Sequence, residues 1–421
     1  MDYINLRYKP GKRDLVAEYY LEPNKISFEK AAGHIAAESS IGTWTDVKTM
    51  NSNIKKKLKP SVFYLDKKRK IIKVAYSEEL FEGGNMPQIL SSIAGNIFGM
   101  KAIKNLRLID IHFPEHLVKS FKGPRYGING IRRLLKVKKR PLVGTIVKPK
   151  LGLTEKQHAK VAYEAWIGGL DIVKDDENLS SMSFNRFNKR ITETLKLRDK
   201  AEKITGEKKI YMPNITAEAL EMLKRADFVK DHGGEYVMVD ILTAGFSALQ
   251  TVRNNVKQVI HAHRAMHAAL TKNKRHGISM QAIAKISRLI GVDQLHIGTA
   301  FVGKMSETSG ESLLSEHEIE DAHIKASKDI LEQGYYGIKP VFAVASGGLY
   351  PGSMQKLIGI MGTNIIAQFG GGCHGHPKGT LAGAKAIRQA LDAVLQGISL
   401  DEYAKSHKEL KLAIKKFSIA K

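Results

Sequence analysis

The segment GGLDIVKDDEN, residues 168–178, starts as a buried strand and ends in a run of four charged side chains. Alternation along a strand places Lys174 and Asp176 on one face and Asp175 on the other, and Glu177 rejoins the first face if the chain turns there. Two carboxylates that converge with a lysine favour a site for a hard cation such as Mg²⁺, which prefers oxygen ligands. The alternative is a solvated charge cluster at the end of a strand. The rest of the chain decides between these two interpretations.

Short apolar and β-branched runs recur after about residue 140, with amphipathic segments of helix length between them. The opening segment supplies the second of eight such runs, which are Leu142–Val147, Leu170–Val173, Lys209–Met212, Tyr236–Val239, Val259–Ala262, Gln294–Ile297, Val341–Val344 and Ile365–Gln368. Eight strand–helix units in roughly 250 residues predict a (β/α)8 TIM barrel rather than an open sheet. We assign residues 126–421 to this barrel domain, with further helices after the eighth strand.

The first 125 residues form a separate, smaller pattern. Strand patterns occur at Tyr3–Tyr8, Thr43–Val47, Ser61–Leu65, Ile71–Tyr76 and Leu106–Phe113, and helix patterns cover Phe28–Glu38 and Pro87–Ile97. This mixture predicts a small α+β (ferredoxin-like) N-terminal domain over residues 1–125, with a mostly antiparallel sheet. The predicted fold class is therefore α/β, with a C-terminal barrel preceded by this domain.

The composition limits the classes to which the protein can belong. The chain of 421 residues has a hydrophobic fraction of 43% and a single cysteine, Cys373. It shows no signal peptide and no run of roughly 20 apolar residues, so we expect a cytoplasmic protein without a membrane partner. The net charge of +25 admits a basic nucleic-acid-binding protein as an alternative. The basic residues are scattered and accompany no nucleic-acid motif, so we expect no nucleic-acid partner.

Catalytic groups of a TIM barrel lie at the carboxyl ends of its strands, and polar or glycine-rich residues follow the predicted strands here. These ends are Lys148-Pro149-Lys150, Lys174–Glu177, Asn214, Asp240, His261–Arg264, His296, Ser346-Gly347-Gly348 and Gly370-Gly371-Gly372. The two histidines after the fifth strand show no third zinc ligand. The G-x-G-x-x-G match at residues 370–375 lacks the later strand of a dinucleotide fold, so its glycines favour phosphate binding by backbone N–H groups. Arg264, His296 and Lys304 add basic groups for a second phosphate.

Together these motifs resemble the large subunit of ribulose-1,5-bisphosphate carboxylase/oxygenase (Rubisco), and closely its archaeal form III. The resemblance covers essentially the whole chain. Its motifs are Glu38–Trp44, Gly95-Asn96, Lys148–Gly152, Gly168–Glu177, His263–His267, His296 with Gly298-Thr299, Gly303-Lys304, Ser346–Gly348 and Gly370–Gly372.

The resemblance implies an activated metal site. Lys174 would react with a CO₂ molecule that is not the substrate and become a carbamate. The carbamylated Lys174 would then bind Mg²⁺ together with Asp176 and Glu177. An amine must be neutral to attack CO₂, and burial or neighbouring cations lower a lysine pKa in the required direction. The implied cofactors are therefore Mg²⁺ and CO₂ as the activating carbamate.

The resemblance also implies catalytic roles. The Lys174 carbamate would take the C3 proton of the substrate, and Lys148, supported by Lys150, would protonate the final C2 carbanion. His263 would assist proton transfer near the C3 oxygen. Lys304, on the loop after the sixth strand, would close over the site and stabilise the developing carboxylate.

Substrate binding would involve both domains. The implied residues of the barrel are Lys150, Arg264, His296, Ser346, Gly347, Gly348, Gly370 and Gly371, and those of the N-terminal domain are Glu38, Thr43, Trp44 and Asn96. Arg264, His296 and Ser346 would hold one phosphate, and the glycines, with Thr43 and Trp44, the other. Because the N-terminal residues would enter the barrel of a neighbouring subunit, the implied assembly is a homodimer or a ring of dimers with shared active sites and no small subunit.

The implied activity is carboxylation of ribulose 1,5-bisphosphate by CO₂ to two 3-phosphoglycerates, with O₂ as a competing substrate, in archaeal-type salvage of AMP and other nucleoside monophosphates. The alternative is a Rubisco-like enolase or isomerase that acts on a related sugar phosphate. Such proteins usually lose the loop lysine, which is present here as Lys304. Four departures from the plant-type pattern bear on loop closure. The loop 296–307 is one residue longer, Ser306 replaces a glutamate, Ile146 replaces a threonine, and Tyr350 replaces a histidine.

Overall fold

The structure is a computed structural model, and it describes residues 3–43, 45, 47–299, 302–303 and 327–418. The chain falls into two compact units. The first comprises Met1–Gly123, Met266–Gly291 and Gly334–Ile338, and the second comprises Pro124–Ala265, Val292–Gln333 and Lys339–Lys421. Each unit therefore combines separate stretches of the chain. The proposed sequence boundary between residues 125 and 126 stays a prediction.

A five-stranded sheet forms the centre of the first unit. Its strands, numbered along the chain, are β1 (Asp14–Pro23), β2 (Ser61–Asp66), β3 (Ile71–Ser77), β4 (Ile103–His112) and β10 (Gly277–Ile278). The order is β10-β4-β1-β3-β2, with antiparallel pairing except between β10 and β4. Helices of this unit are Phe28–Glu38, Ser52–Leu58, Met86–Ile93, Glu115–Lys119, His267–Thr271 and Met280–Ile290. The predicted α+β character and mostly antiparallel sheet are confirmed.

Three local predictions in this unit are wrong. The prediction omits β1, the central strand, although its buried residues alternate from Leu15 to Leu21. The segment Tyr3–Tyr8 forms a turn rather than a strand. Asn5 accepts hydrogen bonds there from the backbone N–H groups of Arg7 and Tyr8. The described residues of Thr43–Val47 form no strand.

The helix predicted at Pro87–Ile97 ends early, at Ile93. Gly95 has a ψ of −123°, which no helical residue adopts, and a short three-ten turn begins at Asn96. A Cβ atom at Gly95 would lie 2.1 Å from the carbonyl oxygen of Ser91, so only glycine fits this position. The apolar pattern continues past this break, which explains the error.

The second unit is built on an eight-stranded parallel sheet. Its strands are β5 (Leu142–Ile146), β6 (Ile172–Lys174), β7 (Ile210–Met212), β8 (Tyr236–Asp240), β9 (Val259–His263), β11 (Gln294–His296), β12 (Phe342–Ser346) and β13 (Ile365–Phe369). The order is β7-β6-β5-β13-β12-β11-β9-β8. The edge strands β7 and β8 meet through a parallel bridge between Asn214 and Met238, which closes the sheet into a barrel. All eight predicted strands are confirmed.

Helices surround this barrel, and none of the described helices is long and apolar enough to span a membrane. The helices of the second unit are Gly127–Leu135, Glu155–Ile167, Phe187–Thr205, Ala219–Asp231, Ile241–Ala244, Phe246–Asn255, Met354–Met361, Gly371–His374, Gly379–Leu395, Leu400–Ser406 and Lys408–Ser418. The two glycines that open the segment 168–178 serve this packing. A Cβ atom at Gly168 would lie 2.4 Å from the Cβ of Ala384, and Gly169 has a φ of +103°. Gly168 lets the helix Glu155–Ile167 approach the helix Gly379–Leu395, and Gly169 lets the chain turn into β6.

The barrel interior is apolar at one end and polar at the other. Ile128, Ile131 and Leu135 of the helix Gly127–Leu135 pack with apolar strand residues such as Ile172 and Ile366. These residues fill one end of the barrel with a hydrophobic core. The charged and glycine-rich residues follow the strands at the other, carboxyl end, where barrel enzymes bind their substrates.

Candidate active site

A cavity of about 510 Å³ opens at the carboxyl ends of the barrel strands. It is lined by Ile146, Lys148, Lys150, Lys174, Glu177, His263, His296, Ser346, Gly347, Gly348, Leu349, Tyr350, Gln368, Gly370, Gly371, Gly372 and Phe417. Apart from Phe417, the lining residues lie in or directly after β5, β6, β9, β11, β12 and β13, and β8 supplies Asp240, which contacts His263. The structure therefore brings together most of the barrel residues that the sequence predicts for the site.

Lys174 ends β6 inside the barrel, with a side chain that is 1% exposed. Its Nζ donates to the carbonyl oxygen of Asp175 at 2.8 Å and lies 3.7 Å from a carboxylate oxygen of Glu177. Burial lowers the pKa of Lys174, because the ammonium loses its hydration, and the nearby carboxylates of Glu177 and Asp176 oppose only part of this effect. The amine is thus buried and placed beside two carboxylates.

The two carboxylates on the cavity side are held differently. Asp176 is 1% exposed, and one of its oxygens accepts a hydrogen bond of 2.6 Å from Nζ of Lys148. Glu177 lies 3.8 Å from Nζ of Lys150. Burial alone would raise the pKa of Glu177, but the attraction of Lys174 and His263 outweighs it and lowers that pKa. Glu177 is therefore a carboxylate at neutral pH.

Asp175 points to the opposite face of the strand, as the alternation predicts. One oxygen accepts a hydrogen bond of 2.6 Å from the hydroxyl of Tyr211, and the other accepts from Nε of Arg190 at 3.2 Å and from the backbone N–H of Asn214 at 3.0 Å. Burial raises the pKa of Asp175, but Arg190 and the nearby His158 outweigh it and hold that pKa well below its usual value. This side chain anchors the strand end and lies outside the cavity lining.

His263 projects into the cavity from the end of β9. Its Nδ1 lies 2.9 Å from a carboxylate oxygen of Asp240 at the end of β8, and its Nε2 lies 3.7 Å from Glu177. A carboxylate on one ring nitrogen fixes the orientation of an imidazole and leaves the other nitrogen for proton transfer. Asp240 therefore positions His263.

A chain of three side chains connects β9, β11 and β12. Nε2 of His261 lies 2.9 Å from Nε2 of His296, whose Nδ1 lies 2.7 Å from Oγ of Ser346. Burial lowers the pKa of His261 to about 3 and holds that of His296 well below its usual value. Both imidazoles are neutral at pH 7. The lowered pKa of His296 indicates that this residue acts through hydrogen bonds, as in its contacts with His261 and Ser346.

The loops after β12 and β13 require glycine. Gly347 and Gly348 have φ values of +124° and +71°, a region that other residues avoid. A Cβ atom at Gly303 would lie 1.9 Å from the carbonyl oxygen of Gly347, and one at Gly372 would lie 2.1 Å from that of Leu349. These loops therefore bring the backbone to the cavity surface without intervening side chains, as anion binding by N–H groups requires.

The family comparison agrees with this geometry. A model of the ribulose bisphosphate carboxylase large chain, N-terminal domain, matches residues 2–117, and a model of the catalytic domain of the same chain matches residues 127–417. The chain belongs to the Rubisco large-chain family. Individual relatives are similar over their full length.

Two archaeal relatives carry the name ribulose bisphosphate carboxylase. The protein of Methanosarcina mazei is 53% identical over 423 residues, which cover 99% of both chains. That of Methanocaldococcus jannaschii is 53% identical over 424 residues, covering 98% of this chain and 99% of the relative. These similarities bear out the archaeal type of Rubisco that the motifs indicate.

Solved structures of archaeal Rubisco share the fold. The octameric enzyme of Pyrococcus horikoshii aligns with a TM-score of 0.93 at 48% identity, covering 100% of this chain and 97% of the other. The dimeric enzyme of Hyperthermus butylicus aligns with a TM-score of 0.89 at 44% identity, covering 99% of this chain and 98% of the other. The predicted barrel with a preceding α+β domain is therefore the Rubisco fold.

Some residues that the Rubisco resemblance implies lie elsewhere. Glu38, Thr43 and Asn96 belong to the first compact unit, where Glu38 is half-buried and the other two are exposed. Trp44 and Lys304 lie outside the described residues. Arg264 follows His263 directly at the end of β9 and is half-buried. The barrel cavity alone therefore holds only part of the predicted set.

Several residues at or behind the Rubisco cavity have no functional role in the sequence prediction, among them Asp240, Gln368 and Phe417. The aromatic rings of Tyr350 and Phe417 lie 5.8 Å apart at one wall of the cavity. Asp240 had a signal in the sequence, since it follows a predicted strand. Phe417 had none, because its helix comes long after the eighth strand.

Proposed function

We propose that the chain catalyses the Mg²⁺-dependent carboxylation of ribulose 1,5-bisphosphate to two 3-phosphoglycerates, with oxygenation by O₂ as a side reaction. The observation that carries the proposal is the group at the end of β6. There a buried amine, Lys174, stands beside the carboxylates of Asp176 and Glu177 in a cavity that also holds Lys148 and His263. The names of the archaeal relatives support the same activity.

The donor set fits a metal only if Lys174 is modified. Within the described ranges no group of three His, Cys, Asp or Glu side chains could hold a metal ion. Asp176 and Glu177 supply two oxygen donors, and addition of CO₂ to the Lys174 amine would supply a third anionic oxygen donor. The lowered pKa of Lys174 favours the neutral amine that this addition requires. Mg²⁺ bound by these three residues would polarise the carbonyl of the substrate and ease removal of the neighbouring proton.

Lys148 would act as the acid of the final step. Its ammonium donates to Asp176 at 2.6 Å in this structure. The positive charges of the ammonium and of a bound cation would repel each other, which favours a turn of Lys148 toward the substrate. It would then protonate the C2 carbanion left after the C2–C3 bond breaks, with Lys150 nearby to support its charge state. Lys304 would close over the added carboxylate.

His263 would move protons at the C3 oxygen of the substrate. The contact of its Nδ1 with Asp240 leaves Nε2 facing Glu177 and the cavity. An imidazole held in this way can accept a proton and return it. The carbamate of Lys174 would be the base that removes the C3 proton itself.

The two phosphates would bind at opposite sides of the cavity. Arg264, His296 and Ser346 would hold one of them. Gly347, Gly348, Gly370 and Gly371 would present backbone N–H groups to the other, together with Thr43 and Trp44 of a neighbouring subunit.

Glu38 and Asn96 would reach the same neighbouring cavity, so we propose a homodimer or a ring of dimers. Archaeal Rubisco structures described as octameric and dimeric support such assemblies. The proposal includes no small subunit. A physiological role in salvage of AMP and other nucleoside monophosphates rests on the form III resemblance alone. The Rubisco-like enolase or isomerase is not favoured, because Lys148 and Lys304 are both present.

One assay tests the activity. Purified protein is incubated with bicarbonate and Mg²⁺, ribulose 1,5-bisphosphate is added, and 3-phosphoglycerate is measured. We expect CO₂-dependent product, and none after this preincubation would refute the carboxylase. The Lys304→Ala variant should still exchange the C3 proton with solvent but form no 3-phosphoglycerate. An isomerase would instead convert the sugar phosphate without CO₂.

A further inference from the structure

Two buried tyrosine hydroxyls in the core of the first unit contact two helix ends that are distant in the sequence. The hydroxyl of Tyr76 lies 2.8 Å from Oγ of Ser39, the residue that caps the helix Phe28–Glu38. The hydroxyl of Tyr19 donates to the carbonyl oxygen of Ile93 at 2.8 Å, and Ile93 is the last residue of its helix. Both tyrosines are fully buried. Two helices are thus joined to one pair of side chains.

Each of these hydroxyl groups has one hydrogen, and the distances indicate its acceptor. Ser39 donates to the carbonyl oxygen of Ile35 at 2.6 Å, so its own oxygen accepts the hydrogen of Tyr76. The hydrogen of Tyr19 goes to Ile93, whose carbonyl oxygen lies at a helix end and has no partner within that helix. The two phenol oxygens are 3.4 Å apart, because neither has a hydrogen left for the other. Each tyrosine therefore anchors a different helix end.

The sheet of the first unit gives these anchors a rigid base. Tyr19 lies on β1, the central strand, and Tyr76 lies on β3, which pairs with β1 over residues Asp14 to Tyr20. A phenylalanine would fill nearly the same space in this core, and burying a hydroxyl is unfavourable unless it is hydrogen-bonded. The two hydroxyls therefore serve to fix the helix ends against the sheet.

The two anchored helix ends continue directly into residues of the proposed active site. Glu38 is the last residue of one helix, and Asn96 begins a three-ten turn three residues after the other helix ends. The connection through Gly95 is tightly packed, since a Cβ atom there would lie 2.1 Å from the carbonyl oxygen of Ser91. A shift of either helix end would therefore move Glu38 or Asn96 with it.

We propose that Tyr19 and Tyr76 are positioning residues for the shared active site. They hold Glu38 and Asn96 at a fixed separation, so that both side chains enter the same cavity of a neighbouring subunit. Small displacements of groups that position a substrate can cost a large part of the rate. This inference rests on the proposed function, because it takes Glu38 and Asn96 as residues of that shared site.

The first test measures the separation itself in the full-length protein. Spin labels at Glu38→Cys and Asn96→Cys report their distance distribution by double electron–electron resonance, with labelled chains diluted by unlabelled ones. The single native cysteine is buried and should escape the label. Tyr19→Phe and Tyr76→Phe should each broaden or shift the distribution, because each releases one helix end. Tyr64→Phe, at a tyrosine that is 38% exposed, is the control and should leave it unchanged. An unchanged distribution in both core variants would overturn the inference.

The second test uses hybrid dimers to separate positioning of the neighbouring site from a defect within one chain. When Tyr76→Phe is paired with Lys174→Ala, the only barrel that keeps Lys174 receives an unaltered N-terminal unit, so one site stays intact. When wild type is paired with the double variant, that barrel receives the altered unit. Its kcat/KM should then be about three- to tenfold lower, as for the loss of one neutral hydrogen bond. Equal values, or the reverse order expected of a defect within one chain, would overturn the inference. Because the distance measurement needs no turnover, a wild-type protein that forms no product would refute the proposed function alone.

Discussion

Two charged clusters flank the end of β6, and they differ in how completely the carboxylates of Asp175 and Glu177 are paired. Behind the strand, the carboxylate of Asp175 accepts hydrogen bonds of 2.6 to 3.2 Å from Tyr211, Arg190 and the backbone of Asn214. On the cavity side, Lys174 and His263 each lie 3.7 Å from Glu177, beyond direct hydrogen-bond distance. We call the first cluster closed because both oxygens of Asp175 accept hydrogen bonds, whereas within the described ranges the Glu177 carboxylate of the second makes no hydrogen bond to a side chain.

Within the run Lys174–Glu177, Asp175 therefore contributes mainly to stability, and the other three residues contribute to the proposed chemistry. The closed cluster fixes the backbone of the strand end, because Asp175 is bonded to two other elements of the barrel. The backbone carbonyl of the same residue accepts from the Lys174 amine at 2.8 Å. A rigid support of this kind holds catalytic groups in place. Substitutions on the cavity side should therefore reduce activity, and substitutions behind the strand should mainly reduce stability.

The largest effect on activity is expected for Lys174→Ala on the cavity side. Without this amine the donor set has only Asp176 and Glu177, so both C3 proton exchange and carboxylation should fall by about a thousandfold or more. Steady-state kinetics and solvent exchange measure the two losses. Lys160→Ala, an exposed lysine on the helix Glu155–Ile167, is the control and should keep wild-type rates. Full activity of Lys174→Ala would contradict the assignment of the metal site.

Asp175→Asn, on the closed side, should act mainly on stability. It leaves Arg190 buried without its charge partner, and breaking a buried ion pair costs about 3–5 kcal/mol of the free energy of unfolding. Denaturant unfolding measures this change. Asp227→Asn, whose carboxylate is 70% exposed in a surface pair with Lys230, should cost less than about 1 kcal/mol. Equal losses in the two variants would remove the distinction between the clusters.

The contribution of Asp175 should also depend on pH. Its pKa is depressed in the folded protein by Arg190 and His158 against the opposing effect of burial. Its stabilisation is therefore complete above its unfolded pKa of about 4 and is lost as the pH falls through the lower, folded value. The difference in unfolding free energy between wild type and Asp175→Asn should shrink below about pH 4. A constant difference would indicate that charge is not its cause.

A smaller effect is expected for Asp240→Asn. The amide would no longer hold Nδ1 of His263 as a charged acceptor does, so kcat should fall about 10- to 100-fold with little change in KM. Asp231→Asn, at a carboxylate that is 67% exposed, should leave kcat unchanged. A rise in KM with unchanged kcat would assign Asp240 to substrate binding instead.

The barrel and much of its cavity could be predicted from the sequence. Each barrel strand is a short apolar run with a polar or glycine-rich end, and this signal is local, as at Leu142–Ile146 and Ile365–Phe369. The first unit was harder to predict. The alternation of β1 includes charged residues such as Glu18, and the turn at Asn5 depends on hydrogen bonds that periodicity does not reveal.

The remaining features of the cavity depend on partners from different elements. Asp240 gains its role from His263 on the next strand, and the neutral state of His296 comes from its burial against His261. The amide of Gln368 is buried without a hydrogen-bond partner among the described residues, which no sequence pattern indicates. Such properties follow from packing rather than from residue spacing.

The central claim is that Lys174 becomes a metal ligand by reaction with CO₂. Carbon-13 NMR of the protein incubated with labelled CO₂ measures this directly through the carbamate resonance. We predict a resonance that Mg²⁺ strengthens, that appears in wild type and Lys160→Ala, and that is absent from Lys174→Ala. A carbamate signal of equal intensity in Lys174→Ala, or none in the wild type with Mg²⁺ present, would contradict the account.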